Sequence, residues 1–296
     1  MTLATEPPRF AEPFELVDGT RRPSLRESRE LFNNLTLREI RGKYKRTALG
    51  HMWSLINPLA VMLMYTLVFA VILKSKPDKG HPSGLNLYAL FLMSGLVPWA
   101  FFSNALTSGM SSLVANANLL KKVYFRRDVI VGATVASFFV TFGIEMGVLT
   151  AALLAFGGMP LPWLPLVVVM MFALAVFALG ISLIFSVVNV YFRDVEHLSS
   201  LLLLLWFYLT PVVYPMNLVV QATSHRREIF GVEIPLLFLY RCNPMERFVA
   251  VFRSLLYDNT WPDWSDAVFC IITAAVTLAI GSWVFGRFEG RVAEEL

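Results

Sequence analysis

The stretch LPLVVVMMFALAVFALGISLIFSVVNV, residues 164–190, decides the class of fold. It runs for 27 residues without a charged side chain, which exceeds the roughly 20 residues that a helix needs to cross a ~30 Å hydrocarbon core. A strand of an outer-membrane barrel would instead be about 10 residues long and would alternate apolar with polar side chains. The stretch therefore predicts a transmembrane α-helix.

Five further apolar segments of similar length accompany this stretch. The six predicted spans are residues 53–73, 85–107, 129–156, 164–190, 198–214 and 267–285. They place a six-span domain over residues 51–296. The composition agrees, because 56% hydrophobic and only 16% charged residues, with a mean hydropathy of +0.62, do not describe a soluble domain. The predicted fold class is an all-α membrane protein with six transmembrane helices.

The distribution of basic residues predicts the orientation of the chain. None of the 25 Lys and Arg residues lies in a predicted span, and alternate crossing assigns 17 of them to one side and 8 to the other. Cytoplasmic loops carry the excess of basic residues, so we expect both termini to be cytoplasmic in a multi-pass protein of the cytoplasmic (inner) membrane. This arrangement accounts for the net charge of +4, and we expect membrane lipids but no nucleic acid as partners.

The segment before the first span divides into two parts. Residues 1–35 place prolines among charges and predict a flexible cytoplasmic tail. Residues 36–50 predict an amphipathic helix at the membrane interface, since Thr36 and Glu39 have capping-box spacing and Gly50 provides a stop. The basic residues of this helix are Arg38, Arg41, Lys43, Lys45 and Arg46. Two hypotheses stay open, a passive positive-inside anchor and a guide for an anionic lipid headgroup.

Glu145 is an ionisable residue deep inside a predicted span, where a charge is costly. Gly143 and Gly147 form a small-xxx-small pair, and Glu145 points away from that stripe. Thr141, one turn earlier, is a local hydrogen-bond candidate. Glu145 is therefore either a buried polar residue that orders the bundle or a functional group for transport or proton movement.

The loop between the fifth and sixth predicted spans contains a further helix signal. Asn243, Pro244 and Glu246 match an N-cap, a first-turn proline and a third-position acid, and an apolar run follows. A helix of about 14 residues is too short to cross a bilayer. We therefore expect a short external helix that is re-entrant or interfacial.

Signals for catalysis are missing from the sequence. It contains no GxxxxGK[ST] phosphate loop, no HExxH and no GxSxG, so we expect neither enzymatic activity nor a metal or cofactor in this chain. Asp258, Asp263 and Asp266 precede the last span. These aspartates are candidates for helix capping or, as the alternative, for binding a cation.

Five motifs in order resemble a known family. They are REIRGKYKRTALGHMWSLINPL (38–59), GLVPWAFFSNAL (95–106), NVYFRDVEHL (189–198), FYLTPVVYP (207–215) and NPM (243–245). Together they resemble the permease subunit of ABC-2 type polysaccharide exporters, the O-antigen and teichoic acid transporters among them. The resemblance covers roughly residues 30–290.

The resemblance implies partners and roles that the residues alone do not give. Two copies of the chain would pair with two copies of a nucleotide-binding subunit that holds ATP and Mg²⁺. The basic helix would lie where the lipid pyrophosphate enters, and the segment ANANLLKKVYF (115–125) would be the coupling helix, with Asn116, Asn118, Lys121 and Lys122. Arg193 and Asp194 match the turn before span five, although capping of the next helix also explains Asp194.

The function that the resemblance implies is ATP-driven export of an undecaprenyl-type lipid-linked polysaccharide, of the O-antigen, teichoic acid or galactan type. Alternatives are an ABC-2 exporter of small lipophilic drugs and a membrane glycosyltransferase or phosphotransferase. Aromatic faces can pack on sugar rings, so Tyr65, Phe69, Phe207 and Tyr214 are candidates for the channel wall. Packing of helix against helix is the competing explanation for these rings.

Overall fold

A computed structural model describes residues 25–43, 52–72, 79–122, 125–217, 219–220, 228–229, 232–233 and 236–295. Within these ranges the regular secondary structure is helical apart from one short antiparallel strand pair, β1 (Glu228–Ile229) with β2 (Val232–Glu233). The helices are α1 (Leu25–Lys43), α2 (Trp53–Tyr65), α3 (Tyr88–Ala115), α4 (Ala117–Lys122), α5 (Asp128–Ala155), α6 (Leu164–Tyr191), α7 (Val195–Tyr208), α8 (Leu236–Arg241), α9 (Pro244–Arg253) and α10 (Trp264–Glu295).

Among the described residues, four helical segments are long and apolar enough to cross a membrane. They are Tyr88–Ala115, Asp128–Ala155, Leu161–Tyr191 and Trp264–Gly290, and they correspond to the second, third, fourth and sixth predicted spans. A 28-residue helix such as α5 is roughly 42 Å long at 1.5 Å per residue, which exceeds the thickness of a bilayer core.

The other two predicted spans are shorter helices. The α2 helix continues as a π-helix over Thr66–Ile72, and α7 has only 14 residues, or roughly 21 Å. The predicted fifth span, 198–214, is wrong in its second half because the chain leaves the helix after Tyr208. Pro211 accounts for this end, since it has no N–H to donate and its ring clashes with the preceding helical turn.

The α1 helix begins eleven residues before the predicted cap. Thr36 lies inside it, and its hydroxyl donates to the Phe32 carbonyl at 2.8 Å, so the predicted boundary between a tail and a helix at residue 36 is wrong. Leu35 is buried, and the ring of Phe32 packs near Gly132 of α5. This apolar contact with α5 explains the longer helix. Residues 44–50, with Lys45 and Arg46, lie outside the described part of the chain.

Close helix contacts are made at glycines other than the predicted pair. The backbones of α6 and α10 touch where Gly180 faces Gly281, and Gly109 of α3 lies against Ser182 of α6. In contrast, Cβ atoms at Gly143 and Gly147 would meet nothing within 4 Å. The predicted small-xxx-small stripe therefore packs against no helix among the described residues.

The α9 helix is buried inside the bundle. Its Phe248 lies 5.6 Å from the ring of Phe177 in α6, and Phe252 lies 6.2 Å from Phe142 in α5. The predicted cap is present, because the Asn243 side chain accepts from the Met245 N–H at 3.1 Å. A π-helical turn over Ser254–Asp258 extends α9 before the chain enters α10.

One end of the bundle, named here the α4 end, joins the parts that the sequence assigned to the cytoplasm. An apolar cluster connects α1, the end of α3, α4, the start of α5 and the ends of α6 and α10 there. Arg127 donates through its side chain to the Glu289 carbonyl, and the rings of Tyr191 and Phe288 lie 6.3 Å apart. Six of the described helices are thereby packed together at the α4 end.

Candidate functional site

The basic helix α1 touches the segment predicted to be the coupling helix. The Arg38 guanidinium donates to the Asn116 side-chain oxygen at 2.5 Å and to the Glu39 carboxylate at 3.0 Å. Arg38 and Arg41 are both exposed. The structure therefore places two of the predicted headgroup residues on an open surface, one of them in direct contact with a predicted coupling residue.

Asn116 connects α3 to α4. Its side-chain N–H donates to the Ser112 carbonyl at 2.9 Å, and its own carbonyl accepts from the N–H groups of Leu119 and Leu120. Asn118 and Lys121 are exposed on α4, whereas the side chain of Lys122 lies outside the described part. This short helix thus has a fixed start and exposed polar side chains at the end of the bundle.

The turn between α6 and α7 lies at the same end. Arg193 and Asp194 are exposed in it, beside Phe192, which is 67% exposed. Asp194 occupies the N-cap position of α7, but its side chain makes no capping hydrogen bond. The side-chain capping explanation for Asp194 is therefore wrong, and the role of Asp194 in coupling stays a prediction.

Four helices enclose a pocket of about 250 Å³ around Glu145. We name it the Glu145 pocket. It is lined by Lys43 from α1, Trp53 and Asn57 from α2, Phe101 and Asn104 from α3, and Phe138, Thr141, Phe142 and Glu145 from α5. The α5 members recur at helical spacings of three and four, so they share one face. Glu145 is turned away from the glycine stripe, as predicted. Thr141 donates instead to the Ser137 carbonyl at 3.4 Å, inside its own helix.

Lys43 reaches into this pocket from α1. Its Nζ lies 3.3 Å from the ring centroid of Phe138, and no acceptor hydrogen-bonds to it among the described residues. Burial lowers the pKa of Lys43 to about 8, although the carboxylates of Glu39 and Glu145 oppose the change. Lys43 is thus a buried ammonium group facing a carboxylate across a polar space.

A second polar site holds the turn after α7, and no pattern in the sequence predicted it. Arg253 of α9 is 8% exposed and donates to the carbonyls of Pro211 and Val212, both at 2.5 Å. Its guanidinium carbon lies 4.0 Å from the ring centroid of Phe91. The sequence signal that could have indicated this site is Arg253 itself, a basic residue inside the apolar run of α9.

Asn243 completes this arrangement. Besides capping α9, its side chain accepts from the Trp206 indole N–H at 2.7 Å and donates to Thr210 Oγ1 at 3.1 Å. The motif at residues 207–215 and the motif at 243–245 are therefore two halves of one hydrogen-bonded corner. We name this corner, made by Asn243, Arg253 and residues 207–215, the α7 corner.

The four predicted channel aromatics do not form one surface within the described residues. Tyr65 is half-buried in α2, and the side chain of Phe69 lies outside the described part. Phe207 packs 5.5 Å from Trp99, whereas the Tyr214 hydroxyl donates to the Tyr208 carbonyl at 2.7 Å and hydrogen-bonds to Tyr240. Because α7 ends at Tyr208, Phe207 and Tyr214 do not lie on one helix, although the predicted fifth span contained both. Their role in a channel stays a prediction.

Two of the three aspartates near the start of α10, Asp263 and Asp266, have structural roles. Asp263 accepts from the Ser265 N–H at 3.1 Å, which confirms capping at this position. Asp266 forms an ion pair of 2.7 Å with Arg247, whose guanidinium also lies 4.3 Å from the ring of Phe269. The described residues contain no group of three or more His, Cys, Asp or Glu side chains that could hold a metal ion.

The apolar helices define a multi-pass membrane protein, and the family follows from comparison. Residues 30–224 match the family described as ABC-2 type transporter, so the chain belongs to the membrane components of that family. It is 28% identical over 263 residues to the O-antigen export system permease protein RfbA of Klebsiella pneumoniae, covering 88% of this chain and 93% of that protein.

Two further relatives carry related descriptions. The RfbA permease of Myxococcus xanthus is 28% identical over 272 residues, covering 92% of this chain and 97% of that protein. The polysialic acid transport protein KpsM of Escherichia coli is 23% identical over 185 residues, covering 62% of this chain and 69% of that protein.

Proposed function

We propose that this chain is the transmembrane subunit of an ATP-driven exporter that moves a lipid-linked polysaccharide across the cytoplasmic membrane. Two copies form the permease, and two copies of a nucleotide-binding subunit hold the ATP and Mg²⁺. Each copy crosses the membrane six times, with both termini and the α4 end in the cytoplasm. In this orientation the α7 corner and α9 lie toward the external side.

The contact between Arg38 and Asn116 carries the proposal. It joins an exposed basic surface, suited to an anionic lipid headgroup, to the helix that would dock on the ATPase. An exporter needs such a link, because binding of the cargo must be coupled to hydrolysis in another subunit. The relatives support a polysaccharide as cargo, since their descriptions concern O-antigen and polysialic acid. An undecaprenyl-type carrier and an O-antigen, teichoic acid or galactan polymer are the forms we propose.

Loss of the chain tests the cargo directly. In cells of the source organism without this chain, surface polysaccharide should disappear and lipid-linked polymer should accumulate inside, and a plasmid copy should reverse both effects. An exporter of lipophilic drugs would leave the glycan on the surface and would make the deletion strain sensitive to such drugs. Quantifying both surface glycan and drug sensitivity in the same strain separates the two functions.

An assay of ATP hydrolysis tests whether a separate subunit, and not this chain, hydrolyses ATP. The chain has no phosphate loop, so the purified permease in lipid nanodiscs should release no phosphate from ATP above the buffer control. Adding the nucleotide-binding subunit should produce hydrolysis, measured as phosphate release. Hydrolysis by the permease alone, in a preparation free of other ATPases, would contradict the two-subunit assignment.

Charge reversal on α1 tests the headgroup surface. Each basic residue near an anionic lipid surface contributes about 1 kcal/mol, so the double variant Arg38→Glu and Arg41→Glu should weaken headgroup attraction by roughly 2 to 4 kcal/mol before screening. We expect a fall in export of more than about tenfold at an unchanged level of protein.

The matched control for this test is Arg29→Glu, because Arg29 is also exposed on α1 but lies outside the basic group at residues 38–46. Export should stay near wild type in that variant. Equal export in the double variant and the control would reduce α1 to a passive anchor.

A further inference from the structure

The Glu145 pocket combines features that no part of the proposed mechanism uses. Lys43 and Glu145 balance each other in charge, two carboxamides, Asn57 and Asn104, each offer a donor and an acceptor, and aromatic rings form the remaining walls. We propose that this pocket binds one uncharged sugar residue of the transported glycan, next to the lipid headgroup. This inference rests on the proposed function, because it assumes that a glycan passes through the protein.

The charges of the pocket select against other occupants. A phosphate group would be attracted by Lys43 but repelled by Glu145, and a cation would meet the reverse situation. A hydrocarbon tail would cover four polar side chains without offering a hydrogen bond to any of them, which is costly. Sugar hydroxyl groups both donate and accept, so they can satisfy the ammonium, the carboxylate and the two carboxamides together.

The shape and the walls suit a single ring. A volume of about 250 Å³ equals the space of roughly eight water molecules and lies just below the usual size of small-molecule sites, so the pocket itself matches one sugar ring. Phe142 is 1% exposed at the floor, whereas Trp53 is 44% exposed at the mouth. An aromatic ring at the mouth can pack on the apolar face of a sugar.

The surroundings of the Lys43 ammonium group support the presence of a bound ligand in the pocket. Its ammonium group is buried without a hydrogen-bonded acceptor among the described residues. A buried donor without a partner carries a free-energy cost, and a ligand hydroxyl placed between Lys43 and Glu145 would remove that cost. Arg41 and Lys43 lie in one turn of α1 but point to opposite faces, so a headgroup at the exposed face would lie about 10 Å, one helix diameter, from the pocket.

The experiment uses photo-crosslinking in cells that carry the whole exporter. The photoreactive amino acid p-benzoylphenylalanine replaces Trp53, and the adduct formed with the cell's own glycan is identified by mass spectrometry. The matched control is the same replacement at Trp283, which is 70% exposed on α10 and lies outside the pocket. We expect saccharide adducts at position 53 and none at position 283. If the Trp53 variant does not reach the membrane, the replacement is made at Asn57.

Two substitutions then test the polar groups. Asn104→Leu and Glu145→Gln, each combined with the crosslinker at position 53, should lower the yield of saccharide adduct by about tenfold, the effect of losing one hydrogen bond to a charged or well-placed polar group. Adducts with phospholipid alone, no adduct in cells that still export the glycan, or an unchanged yield in both variants would overturn the proposal.

Failure of this inference is distinguishable from failure of the proposed function. If the chain does not export a glycan, its deletion leaves surface polysaccharide intact, whatever the crosslinking shows. If only the pocket is wrongly assigned, the deletion removes surface polysaccharide while position 53 gives no saccharide adduct.

Discussion

Replacing Arg253 with methionine is expected to destabilise the protein by about 2 to 6 kcal/mol, because two buried carbonyls would each lose their donor at a cost of about 1 to 3 kcal/mol. The guanidinium donates to two carbonyls of the α7 corner and lies over Phe91. Methionine fills much of the volume but donates no hydrogen bond, so the carbonyls of Pro211 and Val212 would be buried without a partner. Since a typical domain has only about 5 to 15 kcal/mol of stability, we expect a large loss of folded protein and of export.

Two further variants test whether the loss of stability comes from the two hydrogen bonds of Arg253. Arg253→Lys keeps the charge but lacks the planar fork that reaches both carbonyls, so its stability should fall between wild type and Arg253→Met. Arg287→Met, at an exposed position of α10, is the control and should unfold like wild type. Thermal unfolding of the purified protein in one detergent measures all three. Equal unfolding temperatures for Arg253→Met and Arg287→Met would contradict the role of Arg253.

The spans that could be predicted from the sequence are those whose apolar runs alone determine the structure. The second, third, fourth and sixth predicted spans are such runs, and four spanning helices correspond to them. The fifth was predicted too long because the apolar residues continue past Tyr208, while the helix ends for a backbone reason at Pro211. Hydropathy reports burial and does not register the loss of a hydrogen-bond donor.

The start of α1 was misplaced for a different reason. Thr36 and Glu39 match a capping box, yet the helix continues through them to Leu25. A capping pattern is a weak local signal, and packing of Phe32 and Leu35 against other helices is stronger. The local pattern could have been weighed correctly only with knowledge of the tertiary contact to α5.

The candidate sites show the same division between local and tertiary information. Helical periodicity predicted that Glu145 points away from Gly143 and Gly147, because spacing on one helix decides this. The approach of Lys43 to the same space could not be predicted, because it depends on how α1 packs on α5. Likewise, the α7 corner joins residues 207–215 to Asn243 and Arg253, which are distant in sequence. Each motif was visible, but the hydrogen bonds between them were not.

The contact between α6 and α10 provides the second large effect. Gly281→Ala should destabilise the protein by about 3 kcal/mol or more, at or beyond the upper end of overpacking penalties. The added Cβ would overlap the Gly180 carbonyl oxygen and lie 3.0 Å from its carbon. The obstacle is backbone, so no side chain can rotate away, and the two helices must separate along their crossing.

Gly286→Ala is the matched control for this prediction, because it lies on the same helix and its Cβ would meet nothing within 4 Å. That variant should be neutral or gain up to about 1 kcal/mol, since alanine favours the helix over glycine. Gly180→Ala changes the α6 side of the same crossing. Its Cβ would lie 2.5 Å from the Thr277 carbonyl carbon, so this variant should be destabilised like Gly281→Ala. We therefore expect thermal unfolding in detergent to rank Gly286→Ala at or above wild type and the other two variants well below it. If Gly281→Ala unfolds at the same temperature as Gly286→Ala, α6 and α10 do not cross at these glycines.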